Sequence, residues 1–291
     1  MELVLIRIAS LVAIAAAYMF FDVFNKRNVP SIFAYASLAY GAVLTLLYLN
    51  SALVITSFAI AAIVLIAGYM VFRIGQLGAA DVIELAAISL ILPIQPVPIM
   101  YRISQFGLPF LFSVLINTGI LTLVMMPVYY IPRAHRMAKR PLRSYIKTEE
   151  LVKAIGIFSA YTVFLIFLFY IRAGTAGMGI VLLVLVGSIL TVLFEEPITE
   201  SMVEYIGWKE MEEGDMIAFN LMETGEISRI KKKVKGFDRL VTKPMLDEMK
   251  DKGGRIKVPV YRNAVPLALP IFLGVAIALL AGNMMLFILP L

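Results

Sequence analysis

The chain has 291 residues, of which 61% are hydrophobic and only 16% charged, and its mean hydropathy is +0.90. Soluble domains carry about 45–50% apolar and about 25% charged residues, so this composition excludes an ordinary soluble fold. The chain has no cysteine and one histidine, which excludes a disulfide framework, a thiol nucleophile and a Cys-based zinc site. The net charge of +6 is unevenly distributed and indicates membrane orientation, not nucleic-acid binding.

Apolar runs of about 20 residues, each long enough to cross a bilayer as a helix, follow one another along the chain. The predicted spans cover residues 3–21, 31–49, 52–72, 81–92, 108–131, 151–171, 177–194 and 265–289. Three prolines, Pro93, Pro96 and Pro98, break the fourth. The pattern predicts an all-α polytopic membrane protein with about six to eight transmembrane helices.

The composition changes between residues 195 and 262, where charges of both signs crowd together and the apolar runs shorten. The segments "EEGDMIAF" and "GRIKVPVY" have strand-like patterns, whereas "TKPMLDEMKDKGG" predicts a short helix from Pro244 to Gly253-Gly254. We therefore expect a small α+β cytoplasmic domain before the last helix. The predicted parts are 1–132 with transmembrane helices 1–5, a basic cytoplasmic link 133–150, an additional transmembrane hairpin 151–194, the cytoplasmic domain 195–262 and the last transmembrane helix 263–291.

Basic residues follow the odd-numbered predicted helices. Lys26 and Arg27 follow the first, Arg73 follows the third, and the link 133–150 follows the fifth. Since Lys and Arg near the ends of spans favour the cytoplasm, these helices are predicted to end at the cytoplasmic side of the plasma membrane. Arg7 is the exception, and we expect it to snorkel to the outer surface.

Only three acidic residues occur between residues 3 and 148, namely Asp22, Asp81 and Glu84. Ionisable groups within membrane segments are costly, so they are candidates for function. Asp22 lies where the first predicted helix reaches the cytoplasm, and Asp81 lies where the fourth leaves it. Because three crossings separate them, both are predicted at the same membrane face. Glu84 follows Asp81 by one turn on the same helix face.

Paired aspartates suit hydrolysis. Two carboxylates held close together cannot both ionise cheaply, so the pair holds a shared proton. The ionised member can activate water as general base, and the protonated member can polarise a scissile carbonyl and protonate the leaving amine. Gly78, Ala79 and Ala80, just before Asp81, are small and leave room for an extended substrate backbone.

A structural interpretation of the same acids stays open. Asp22 would then be a juxtamembrane acid beside Lys26 and Arg27, and Asp81 an N-terminal helix cap. In the functional interpretation Glu84 tunes the pair or contacts a basic substrate, and in the structural one it is an interfacial acid that faces a polar crevice.

Three segments resemble one family: "FDVFNKRNVPS", "GAADVIELAAISLILP" and "VPVYRNAVPLALPIFLGVAIALLAGN". They are similar to the end of the first helix, the Gly-x-hydrophobic-Asp motif and the closing segment of type IV prepilin and archaeal preflagellin peptidases. The resemblance implies a Gly-x-Gly-Asp membrane aspartic protease with Asp22 and Asp81 as the catalytic pair and no cofactor or metal. It implies removal of short basic leaders from precursors of the archaeal flagellum or type IV pilus, at the cytoplasmic membrane face.

The chain departs from that family in several ways. Ala80 stands where many members have Gly, and Ile83 stands where many bacterial relatives have Lys. The Cys-rich zinc insert of many bacterial relatives is absent, because the chain has no cysteine. The predicted spans also outnumber those typical of the archaeal enzymes. The resemblance implies precursor proteins and the lipid bilayer as partners, and no nucleic acid. The acidic segment 195–215 is then expected to dock the basic leader.

Two alternatives remain. A presenilin-like intramembrane protease has the same paired-aspartate layout, but it would show Tyr-Asp, Gly-Leu-Gly-Asp and Pro-Ala-Leu motifs, of which the chain has only partial matches. A proton- or cation-coupled transporter would use the same acids, but it favours acids near mid-membrane and repeated halves with broken helices. Neither feature is evident in the sequence.

Overall fold

The computed structural model describes residues 2–25, 29–48, 50–74, 77–99, 108–137, 142–234, 236–252, 257–262 and 267–288. Four residues named in the predictions lie outside these ranges: Lys26, Arg27, Gly253 and Gly254.

The first two-thirds of the chain is helical. The helices are α1 Glu2–Phe24, α2 Ser31–Leu46, α3 Ser51–Arg73, α4 Ala79–Ile91, α5 Phe110–Met137, α6 Thr148–Tyr170 and α7 Thr175–Leu193. Five helical stretches in the described part are long and apolar enough to cross a bilayer: Leu3–Phe24, Ser51–Arg73, Phe110–Met137, Thr148–Tyr170 and Thr175–Leu193. The chain is therefore an α-helical membrane protein.

The last third mixes short elements with one more apolar helix. They are α8 Glu195–Met202, β1 Val203–Gly207, α9 Thr224–Lys233, α10 Lys243–Lys252, β2 Lys257–Tyr261 and α11 Ala268–Leu280, followed by a 3-10 turn at Met284–Ile288. The two strands pair antiparallel, with Val203 opposite Tyr261. The strand in "GRIKVPVY" and the helix in "TKPMLDEMKDKGG" are confirmed. The strand predicted in "EEGDMIAF" is wrong, since Met216 and Ile217 form only isolated bridges.

Three of the predicted spans are short. The helices α2, α4 and α11 have 16, 13 and 13 residues. At 1.5 Å per residue they extend about 20–24 Å, less than the roughly 30 Å of a hydrocarbon core. Their lengths alone do not confirm the predicted six to eight crossings.

The short helix α4 lies at the centre of the membrane part. It packs between α2 and α3 and also contacts α1 and α5. Every residue from Leu85 to Ile91 is buried, as is Val82. A close approach to α3 depends on Gly68, because a Cβ there would lie 2.4 Å from Cγ1 of Val82. Helix α4 carries Asp81 and Glu84, two of the three acidic residues between residues 3 and 148.

The last helix, α11, packs against α5 and α1. Buried Asn117 of α5 ties its far end, donating from Nδ2 to the Gly282 carbonyl (3.0 Å) and accepting from the Met284 N–H (3.0 Å). Gly282 has φ +82°, the left-handed conformation that ends a helix. The first turn of α11, at Ala268, lies against the end of α1.

Arg7 does not snorkel to the outer surface as predicted. Its side chain is 0% exposed, and its Nη1 donates to the Ile91 carbonyl (2.9 Å). Its Nη2 donates to the Leu44 carbonyl, and the guanidinium lies over the Tyr48 ring, 3.9 Å from the centroid. The prediction failed because α2 and α4 both end beside Arg7, and the carbonyls of a helix C-terminus attract a cation.

The domain after α7 has its own core, in which buried Trp208, Met249 and Val260 are members of one cluster. Helix α8 connects this domain to the membrane part, since Ile198 and Met202 pack with Tyr130 of α5. The domain therefore lies at the end of the membrane part where α5 finishes.

Candidate functional site

One face of α1 points into the bundle along its whole length. Its buried residues are Arg7, Leu11, Ala15, Tyr18 and Asp22. This spacing of three and four residues is the stripe by which a helix buries one side. The stripe has a basic residue at one end and an acidic residue at the other.

Asp22, at the acidic end of the stripe, is only 9% exposed. Its Oδ2 accepts a hydrogen bond from the Ala268 N–H (3.1 Å). That N–H belongs to the first turn of α11, whose unpaired N–H groups and dipole favour a negative charge. Asp22 thus joins the end of α1 to the start of α11, across 246 residues of sequence.

Asp81 lies in the first turn of α4 and is partly exposed. Its Oδ2 accepts from the Gly78 N–H (3.1 Å) at the start of its own helix. Gly78 permits this position, because a Cβ there would lie 2.6 Å from the same oxygen. The N-cap of α4 is Gly78 and not Asp81, so Asp81 stabilises this helix end from the third helical position, and its other oxygen lies outside this bond.

Glu84, one turn after Asp81, is 0% exposed. Neither of its carboxyl oxygens has a hydrogen-bond partner among the residues that the structure describes. A buried carboxyl group without a partner is costly. The sequence interpretation that Glu84 merely faces a polar crevice does not fit this burial.

The three acids come together at one end of the bundle. The charge of Asp22 acts on Asp81, and both act on Glu84. Helices α1 and α4 are in contact, as the predicted arrangement requires. The structure therefore brings Asp22, Asp81 and Glu84 within electrostatic range of one another.

No family model, curated protein or solved structure matches the chain. Among the described residues, no group of three or more His, Cys, Asp or Glu side chains is placed to hold a metal ion.

The small residues of the predicted motif have different surroundings. Ala79 begins α4 and is exposed. Ala80 is half-buried and packs in a cluster that contains Tyr18, Ala34 and Ala268. The small side chain at this position thus lies where α1, α2, α4 and α11 meet.

Tyr18 is the site residue that the sequence interpretation missed. It is 0% exposed, and its electrostatic neighbours include Glu84 and Asp81. The Ser37 hydroxyl donates to the Ala34 carbonyl (2.8 Å), so in its 2.9 Å contact with Ser37 the Tyr18 hydroxyl is the donor. The Tyr18 oxygen therefore keeps acceptor capacity near the acids. Its spacing of four residues before Asp22 is the signal that would have found it.

Proposed function

We propose that this chain is a membrane aspartic endopeptidase that removes the short basic leader from preflagellin- or prepilin-like precursors. Asp22 and Asp81 form the catalytic pair, and cleavage takes place at the cytoplasmic face of the plasma membrane. The proposal rests on one observation above all: helices α1 and α4 are in contact, and they place Asp22 and Asp81 close enough at one end of the bundle for the charge of one to act on the other.

The chemistry needs one proton shared by the pair. The ionised carboxylate takes a proton from water as the water oxygen attacks the scissile carbonyl carbon, and the protonated carboxyl gives its proton to the carbonyl oxygen. Collapse of the neutral tetrahedral diol then breaks the C–N bond: the amine nitrogen takes up the proton that the first carboxylate received from water, and one diol hydroxyl returns its proton to the other carboxylate, so the pair again holds one proton. The Ala268 N–H donates to one oxygen of Asp22 and holds that oxygen in place.

The short helices fit a proposed topology of eight crossings. An extended segment with Pro93, Pro96 and Pro98 follows α4 and packs against α11, where the Ile99 N–H donates to the Leu279 carbonyl (3.4 Å). Backbone without helical hydrogen bonds is tolerated at membrane depth where protein buries it. We propose that α2, α4 and α11 each complete a crossing, with α8–β2 forming the cytoplasmic domain.

The test is leader cleavage in membranes that contain the wild type, Asp22→Asn or Asp81→Asn at matched expression. Each change keeps the side-chain size and removes the acid, and we expect at least about a 100-fold loss of cleavage. Glu149→Gln, which removes an exposed acid at the start of α6, is the control and should cleave as the wild type does. The proposal fails if both aspartate variants still cut.

Glu84 favours a second candidate, a proton- or cation-coupled transporter. A buried acid one turn further into the bundle than Asp81 is what a proton path would contain. Proton flux in vesicles made from the same membranes separates the two functions. Flux that is lost in Asp22→Asn and Asp81→Asn, with a wild type that cuts no precursor, supports the transporter.

A further inference from the structure

Glu84 is unlike the other acids of the site, because both of its oxygens lack a hydrogen-bond partner in the described part of the chain. We propose that Glu84 is a positioning residue that holds a proton at neutral pH and acts on the reaction through Asp81. It forms and breaks no bond to the substrate. This inference deepens the proposed function and rests on it for its catalytic meaning.

The protonated state follows from burial and neighbouring charge. A carboxylate at 0% exposure without a partner would lose its hydration without compensation. Asp81 and Asp22 add like charge, which makes ionisation of Glu84 still more costly. Keeping a proton on Glu84 removes both penalties, so the negative charge of the site stays on the aspartate pair.

The groups that face Glu84 are consistent with a protonated side chain. Its own helix contributes Asp81, and α1 contributes Asp22 and the hydroxyl of Tyr18. Helix α2 carries no charged residue, and the hydroxyl of its Ser37 is bonded to Tyr18 and Ala34. The one charged residue of α3, Arg73, lies exposed in its last turn. The charged and titratable residues at the end of α5 are Arg133, His135 and Arg136, whereas the charges that act on Glu84 are those of Asp81 and Asp22.

A protonated Glu84 supplies a hydrogen-bond donor that takes no part in the proton transfers of the aspartate pair. This donor lies one turn from Asp81, on the same helix face. When the substrate draws Asp81 away from Gly78, the Glu84 hydroxyl can donate to the released Asp81 oxygen. That bond holds Asp81 in place during the reaction without adding charge to the site.

Infrared spectroscopy of the purified full-length protein tests the proton directly. At neutral pH the wild type should show the carbonyl stretch of a protonated carboxyl, and labelling glutamate with carboxyl-¹³C should shift part of that band. Aspartate bands are not shifted by this label, so the result identifies a glutamic acid. Glu84→Gln should remove the shifted component, and Glu149→Gln should retain it. A band that the label does not shift, or that survives Glu84→Gln, overturns the proposal.

Leader cleavage tests the action through Asp81. Glu84→Gln keeps a neutral donor and should cut within about threefold of the wild type at neutral pH, whereas Glu84→Leu should lose at least about tenfold. The decline of cleavage at alkaline pH should lie no lower in Glu84→Gln than in the wild type, because glutamine keeps a neutral donor that cannot ionise. Equal cleavage by Glu84→Leu and the wild type over the whole pH range overturns the positioning role.

The two proposals fail in different ways. If the wild type cuts no precursor, the endopeptidase function fails and the positioning role fails with it, while the infrared spectra still decide whether Glu84 holds a proton. If the wild type cuts and no labelled band is found, the endopeptidase function stands and the assignment of Glu84 falls.

Discussion

The two ends of the membrane bundle each bury an ionisable side chain, but only one of these side chains has hydrogen-bond partners in the described residues. At one end, Arg7 is enclosed but donates to the carbonyls of Leu44 and Ile91 and lies over Tyr48. At the other end, Glu84 is equally enclosed, and neither of its oxygens has a partner in the described residues. A buried ion with partners can be explained by the stability of the fold, whereas a buried acid without them needs another explanation.

The largest effect on stability is expected at the basic end. Arg7→Met keeps much of the side-chain volume but removes the donors from Arg7 to the Ile91 and Leu44 carbonyls, the second of which keeps its bond from the Leu47 N–H. We expect a loss of about 2–4 kcal/mol in the free energy of unfolding, measured by denaturant unfolding in detergent. Arg73→Met, which changes an exposed arginine at the end of α3, is the matched control and should have little effect. Equal stability of the two variants would mean that Arg7 is not a structural residue.

At the acidic end, replacing the buried ionisable residue should not lower the free energy of unfolding. Glu84→Leu replaces an unpartnered buried carboxyl by an apolar side chain. We expect the free energy of unfolding to stay unchanged or to rise by about 1–3 kcal/mol, because the cost of burying the acid disappears. The same unfolding measurement checks this. A clear loss of stability would show that Glu84 has a structural partner, and the comparison between the two ends would then fail.

Gly78→Ala probes the position of the Asp81 carboxylate. The added Cβ would lie 2.6 Å from Asp81 Oδ2, so the carboxylate must move. Because Gly78 has φ −74°, alanine fits the backbone, and the effect should fall on cleavage, with a loss of about 10–100-fold. Gly207→Ala is the matched control, since Gly207 also precedes a helical turn with φ −82° and its Cβ would meet no atom within 4 Å. Equal cleavage by both variants would mean that the bond from Gly78 does not position Asp81.

Counting crossings predicted which acids share an end of the bundle, because parity depends only on the number of apolar runs between Asp22 and Asp81. It did not predict the bond from the Ala268 N–H, since a contact across 246 residues depends on how α11 packs. Tyr18 was missed because a tyrosine near a helix end is also typical of an interfacial position.

Two short helices and the position of Arg7 could not be predicted from the sequence either. Helices α8 and α9 were not predicted, because they are only eight and ten residues long and their sequences are highly charged. Arg7 was assigned to the surface because a single charge near a helix end usually reaches water. Its burial depends on two helix C-termini that only the folded bundle brings to it.

The smallest effect is expected away from the bundle, where the acidic segment 195–215 is proposed to dock the basic leader. Glu212 and Glu213 are exposed, so reversing both to lysine should leave the fold intact and raise the KM for the precursor by about 2–5-fold. Asp215 is unsuitable for this test, because it accepts from the Glu212 N–H (2.9 Å) and pairs with Arg262 at 3.5 Å.

Salt dependence decides whether that effect is electrostatic docking. Attraction between exposed charges is screened by salt, so the difference between the wild type and the Glu212→Lys, Glu213→Lys variant should shrink as ionic strength rises. The control reverses two exposed acids of the same domain outside the segment, Glu223→Lys and Glu226→Lys, with the same change in net charge. If both double variants raise KM equally, net charge and not the acidic segment is responsible. If only the first does, and salt removes the difference, the acidic segment contributes to binding of the precursor.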